Sequence, residues 1–511
     1  MMMKLTNQIT KNSNRPVKSL FGLFLAGLLF TACDIDFLDP TPVDNPQATE
    51  EDFLNSDAPL DAFMPGMEMQ FSRAIGAMVL TTEFTSDNAS VNGTGVSATF
   101  NVPENISGET PSINTTGVLG GYFNLQELKA MGNFVFNEIL DHDEDPDPQQ
   151  VAQTHYYLGM ALLMLGENYV AAPLEEDGDP VGSRELIGQA ITELEAVEQA
   201  GPSTEISNAA IAALARAHRA YGNTDEADSY AELLLEADEE FIFSAQYDSD
   251  NLANRPWIYT TSRSLREMQP LPRLDHLDPK YTDDEDPIPV ATAEEMHLIR
   301  AEVAMSNGNY DEALDHLIDA SDLALTVSDD RPRVTFEDSD ERLNNDLEPR
   351  PRNEEILIAA DPDSEFREGL VQTRPGEVEV SKVSWTSIDA DSLNNVDTSD
   401  ELHMHRLLFT LRQEIMFYEG RRLHDLGIRL PMMQREYDNN PNISSGDFGT
   451  EIYIPDYIPS SDDMNRFDPF VPYDDEELVT TEVTMRYDMN RVLADPTNRG
   501  LLINNPFLDL N

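Results

Sequence analysis

Apolar residues recur at helical spacing through much of this chain, while its last third is broken by acids, prolines and glycines. The clearest period lies at 401–418, where Met404, Leu408, Leu411 and Ile415 share one face before Gly420 interrupts the pattern. An apolar stretch at 67–82 predicts a helix that ends in "TEFTSDNASVNGTG", a run of Asn, Ser and Gly. A shorter helix is expected at 49–57, with Thr49 as N-cap, Asp52 in its first turn and Pro59 as its stop. From the Asn, Ser and Gly run after the 67–82 helix to Gly121 the chain reads as a long polar loop. Beyond about Val327 loops dominate, with a strand candidate at 377–385.

The middle of the chain carries a weak repeat. In "LGMALLMLGE", "LARAHRAYGN" and "IRAEVAMSNGN", the small residues Gly159, Ala215 and Ala301 each precede a glycine, Gly166, Gly222 and Gly308, by the same interval. A small residue lets a neighbouring helix approach closely, and glycine supplies the left-handed conformation that ends a helix. Two of the glycines lead straight into another helix, with Glu226-Ala227 matching Glu312-Ala313. Helix, tight turn and antiparallel helix at this spacing resemble a tetratricopeptide repeat. The first copy departs, because Pro173 and Pro180 delay its return helix to Ser183. The expected fold is mainly α, with tetratricopeptide-like helix pairs packed with a loop-rich C-terminal region containing few short strands.

Lys4, Lys11, Arg15 and Lys18 precede the apolar run "LFGLFLAGLLF", which ends in Thr31, Ala32 and the only cysteine, Cys33. The run is shorter than the roughly 18 apolar residues that span a bilayer and has the build of an export signal. A cysteine at the cleavage point resembles a bacterial lipoprotein signal, with Cys33 as the lipidated residue, although Phe30 stands where such signals usually place Leu. Two or more acyl chains hold a protein stably on a membrane. The expected organisation is a signal peptide at 1–32, an N-terminal helical region at 33–245 and a C-terminal region at 246–511, the last two packed as one unit.

The formal net charge of −63 repels itself at low ionic strength, whereas the Debye length of about 3 Å at 1 M salt removes most of that penalty. Only Lys129, Lys280 and Lys382 follow Cys33. Both features point to a halophilic source. Nucleic acid is a poor partner for such a surface, since binding phosphates requires basic groups. The 40% hydrophobic content and the helical periods argue against disorder.

Three separated stretches share one further resemblance. The lipoprotein start followed by "FLDPTP", the helix pair "EEMHLIRAEVAMSNGNYDEALDHL", and "LRQEIMFYEGRRLHDLG" together resemble the SusD/RagB-like family of outer-membrane nutrient-binding lipoproteins. The second motif keeps Arg300, Ala301, Glu302, Gly308, Tyr310, Glu312 and Ala313. The third keeps Arg412, Glu414, Phe417, Glu419, Gly420, Arg421, Arg422, Asp425 and Leu426, with Leu423 and Gly427 departing from the family pattern. "TTEFTSDNA" is similar to the family's early Thr-Asp-Glu segment, with Asn88 in place of Glu. The resemblance implies a lipid-anchored, cell-surface protein of the outer membrane. It would capture a glycan, peptide or other nutrient and deliver it to a TonB-dependent β-barrel transporter of the SusC type.

The charged residues of the third motif read as structural, pairing with one another and with backbone ends. Likewise Arg300 and Glu302 are expected to brace the repeat helices. No nucleophile elbow, zinc-protease helix, Walker loop or dinucleotide glycine motif is present, so no catalytic residues, no metal and no cofactor are expected. His403 and His405, two positions apart, do not share a helical face. "DHDEDPD" lacks the glycine and glutamate of a calcium loop. Sugar binding uses aromatic faces and hydrogen-bonding side chains; the candidates are Asn88, Asn92, Tyr122, Trp257 and Tyr259. The alternative is a lipid-anchored tetratricopeptide-type scaffold in the periplasm that binds other proteins.

Overall fold

A computed structural model describes residues 53–91, 100, 102–117, 120–257, 268–269, 280–281, 283–337, 357–368, 377–460, 464–468 and 482–510. The export signal, Cys33, Asn92 and Tyr259 lie outside the described residues. Contacts divide the chain into Met1–Ser56 and Asp57–Asn511, and the helices and strands named here belong to the second unit. The fold is mainly helical, with a few short strands.

Helix α1 runs over Pro59–Thr85, so Pro59 starts a helix instead of stopping one. Proline is at home in the first turn, where its missing N–H would have had no partner. A second proline, Pro65, is carried inside the helix. The early segment "TTEFTSDNA" begins in its last turn, where Thr81, Thr82 and Thr85 hydroxyls donate back to carbonyls four residues earlier.

The repeat region consists of α2 (Gly121–Phe134), α3 (Pro148–Asn168), α4 (Ser183–Ala200), α5 (Thr204–Tyr221), α6 (Thr224–Ala237), α7 (Ala293–Ser306) and α8 (Tyr310–Ala324). Each packs on the next, α6 meeting α7 across the excursion between them. That excursion is closed by the antiparallel strands Ile242–Ala245 and Ile288–Thr292. Local chemistry sets several starts: Asp147 caps α3 ahead of Pro148, Ser203 caps α5, and Thr292 caps α7.

Gly222 and Gly308 have φ of +84° and +77° and end α5 and α7 as expected. Gly166 does not end its helix, because α3 continues to Asn168. Its smallness serves close approach: a Cβ there would lie 2.6 Å from Ile187 Cγ1, and one on Gly159 would lie 2.8 Å from Leu194 Cγ. Both contacts come from α4, which folds back onto α3 after the paired strands Ala171–Pro173 and Pro180–Gly182.

Helix α9 (Glu401–Ile415), capped by Asp400, lays Met404, Leu408, Leu411 and Ile415 into the core against α7 and α8. It breaks at Tyr418, a non-glycine residue with φ of +54°, and Gly420 with φ of +79°, before α10 (Arg422–Leu426). The expected strand at 377–385 is observed over Glu377–Ser381, paired antiparallel with Arg333–Glu337. A small mixed sheet of Phe467–Asp468, Glu482–Met485, Leu357–Ala359 and Arg367–Glu368 completes the C-terminal region. No helix among the described residues is long and apolar enough to cross a membrane.

Candidate ligand groove

The charges of the third motif are buried, and most of them pair with distant elements more than with one another. Asp425 accepts from Arg412 Nε at 3.0 Å and from Arg219 Nη2 at 3.1 Å, while Arg219 Nε donates to Glu302 at 2.5 Å. Glu302 also accepts the Ile503 N–H at 3.0 Å. The motifs of α7 and of α9–α10 thus meet in one chain of ion pairs. Arg421 forks onto Glu295 of α7, Arg422 onto Asp87, and Glu419 accepts from Lys280. Glu414 takes the hydroxyls of Thr386 and Ser387. Arg300 binds Asp228 and Glu232 of α6, bracing the repeat as expected.

The early segment joins the same network. Asn88 Nδ2 donates to Glu83 at 2.5 Å, Gly420 N–H donates to the other Glu83 oxygen at 3.0 Å, and Gln413 Nε2 donates to Asn88 Oδ1 at 2.8 Å. Burial pushes the Glu83 carboxyl up to about 7 against these hydrogen bonds. Asn88 is therefore a buried brace with 1% exposure, and its expected ligand role is not what its position supports. The three lysines after Cys33 are also spent internally: Lys129 on Pro173 O, Lys280 on Glu419 and Ile415 O, and Lys382 on Asp286.

Two cavities bear on binding. One, of about 530 Å³, is lined by Arg406, Arg491, His403, Gln413, Asn490 and Phe417 among others. Its cations are engaged, Arg406 with Asp488 at 2.6 Å and Arg491 with Asp361 at 3.0 Å, and Gln413 and Asn490 belong to the network behind Asn88. Its two arginines and the Gln413–Asn490 pair are thus tied to neighbouring side chains.

The other is a groove of about 930 Å³ between α2, α3 and α4, roofed by the loop after Pro173 and by Glu436. At its rim α2 passes into a π-helical turn at Val135–Ile139. Such turns insert a residue into the helix and recur at functional sites. Asn133, Phe134, Asn137 and Glu138 line the groove around this turn, with Gln126 and Gln189 adding amides. Phe134 and Leu174 supply apolar surface, over a floor of the buried Leu158 and Leu162. Five carboxylates, Glu138, Glu175, Glu176, Glu193 and Glu436, face a single ammonium, Lys129. Burial lowers that ammonium to about 8.

Tyr122 lies beneath this wall. Its hydroxyl donates to Glu436 at 3.1 Å and accepts from Gln126 at 3.0 Å, and its ring meets Tyr169 edge-on at 5.1 Å. At 1% exposure it cannot present a stacking face and acts as a strut for two groove residues. Trp257 is half-buried, donates its backbone N–H to Asn254 Oδ1 at 3.0 Å, and lines neither cavity. The groove residues carry no sequence motif; the amides of Asn133 in α2 and Asn137 in the π-helical turn, four positions apart, are their only local sign.

No family model matches the chain, and no curated protein matches it. Solved structures do. A SusD-like carbohydrate binding protein from Bacteroides vulgatus is 13% identical, with 72% of this chain and 82% of that one covered at a TM-score of 0.46. A SusD superfamily protein from Bacteroides fragilis is 13% identical, with 75% and 98% covered at 0.45. A SusD-like carbohydrate binding protein from Bacteroides fragilis is 11% identical, with 79% and 94% covered at 0.43.

Proposed function

We propose that the chain is a nutrient-binding lipoprotein that holds a neutral oligosaccharide in the groove of α2, α3 and α4 and delivers it to a TonB-dependent β-barrel transporter of the SusC type. The observation that carries this reading is the groove's chemistry. Amides and carboxylates set around Phe134 and Leu174 match a ligand whose hydroxyls need donors and acceptors and whose C–H faces need apolar contact. Five carboxylates against one internally bonded lysine disfavour an anionic ligand. The family resemblance of the motifs supplies the transporter, and their meeting in one buried network supports reading them together.

In this reading Cys33 carries the lipid, the protein sits on the outer face of the outer membrane, and its role is binding without catalysis. The excess of acids belongs to life in high salt. The test is to solubilise source membranes in mild detergent at native salt and identify what co-purifies with the full-length protein. A stoichiometric β-barrel transporter, lost on Cys33→Ala, is the expected result. Periplasmic proteins alone would overturn the transporter role and favour the repeat-scaffold alternative.

A further inference from the structure

The antiparallel pair α7–α8 carries a second cluster, unconnected with the groove. His297 on α7 and His316 and Asp319 on α8 each offer one ligand atom, and these atoms lie within 4.8 Å of one another. His316 and Asp319, three apart, share a helical face that is turned towards His297. His297 Nδ1 stands 3.7 Å from Asp319 Oδ2, beyond hydrogen-bond distance, and the two imidazole rings are centred 5.8 Å apart. Nδ1 of both histidines is buried and has no hydrogen-bond partner. Buried polar atoms are rarely left so, and two neighbouring imidazoles with unpartnered nitrogens and a carboxylate beside them want a shared electrophile.

We propose that His297, His316 and Asp319 form a binding site for one divalent first-row transition metal ion of the zinc class. Two imidazoles and one carboxylate are the ligand set that favours such ions over calcium or magnesium, which take oxygen ligands. Bonds of about 2.0–2.1 Å to a tetrahedral ion place donors about 3.4 Å apart. The present spacing reaches that by small side-chain rotations, for which Asp319, with 55% side-chain exposure, has room. Solvent completes the coordination on the Asp319 side.

The surrounding charges permit the ion. Arg300, one turn from His297, is neutralised by its forked contacts to Asp228 and Glu232. Glu294, on the other side of His297, is bound by Arg331 and Ser384 and does not compete as a ligand. The metal would tie the two helices of one repeat together through side chains, where the turn at Gly308 ties them through the backbone.

Cobalt(II) is the probe, added to untagged, chelator-treated full-length protein in molar NaCl with excess Mg²⁺ and Ca²⁺ to occupy surface carboxylates. The expected result is saturable visible d–d absorption at one equivalent per chain, displaced by Zn²⁺. Asp319→Asn, an exposed change, should weaken binding at least about tenfold. The double variant His297→Gln/His316→Gln should lose the absorption while keeping the helical circular dichroism of the parent. Absence of saturable absorption in the parent, or its survival in the double variant, would overturn the proposal.

Discussion

Arg422 forks onto Asp87 across 335 positions of chain, Nε to Oδ1 at 2.6 Å and Nη2 to Oδ2 at 2.8 Å, with both side chains buried. The pair locks the end of α1 to the start of α10. Removing one member breaks the ion pair around a charge that stays buried, which costs about 3–5 kcal/mol, whereas replacing both by apolar residues of similar volume is far milder. Asp87→Asn and Arg422→Met should each lower the denaturation midpoint strongly, and Asp87→Leu/Arg422→Met should recover much of the loss. Equal losses in all three would show that the contact, not the stranded charge, sets the energy.

Glu83 makes a prediction about pH. Its carboxyl is raised from 4.5 to about 7 chiefly by burial, so the folded protein holds a proton through that window which the unfolded chain has released. Stability therefore falls as pH rises from about 4.5 to 7, by roughly 3 kcal/mol for this one group. Glu83→Gln keeps the shape and cannot ionise. Denaturation of parent and variant at pH 5 and pH 8 should show the parent losing stability relative to the variant; parallel curves would disprove the shift.

The helix pairs α5–α6 and α7–α8 were legible in the sequence because their signals are local: a small residue two turns before a glycine at the turn, and a matching Glu-Ala in each return helix. The motif charges were legible as structural, but not their partners, since Arg421 meets Glu295 and Arg422 meets Asp87 only after distant elements pack. The same limit explains the misplaced site residues. Asn88 and Tyr122 have the right chemistry for sugar binding, yet neighbours from other elements bury both. His297 and His316 carry no motif spacing, and only the antiparallel turn brings them together.

Gly166 tests the close-approach reading against helix propensity. In an exposed helix Gly→Ala gains about 1 kcal/mol. Here the added Cβ would stand 2.6 Å from Ile187 Cγ1, 3.2 Å from Leu186 Cβ and 3.3 Å from the Ile187 backbone nitrogen. Overpacking of that kind costs about 1–3 kcal/mol, so Gly166→Ala should be net destabilising in a thermal or urea melt. A stabilised variant would mean α4 yields freely.

Salt acts on the whole surface. With a net charge of −63, self-repulsion opposes the compact state until counterions screen it. The melting temperature should climb steeply between 0.1 M and 2 M NaCl. Because the Arg422–Asp87 pair is buried and little screened, the penalty of Asp87→Asn should change far less over the same range. A flat salt response would remove the ground for a halophilic source.

The groove predicts a ligand charge as well as a ligand class. Its carboxylates repel uronic or sulfated sugars, and its one lysine is turned into Pro173 O. A calorimetric panel in molar salt should find neutral oligosaccharides binding and their acidic counterparts not binding. Each lost hydrogen bond removes about 0.5–1.5 kcal/mol, so Asn133→Ala/Asn137→Ala should weaken binding by roughly tenfold. Tyr122→Phe removes a donor to Glu436 and a support for Gln126 without touching the groove surface, so it should cost less than the double amide change. Tighter binding of acidic sugars, or amide variants with unchanged affinity for a neutral one, would place the ligand elsewhere on the molecule.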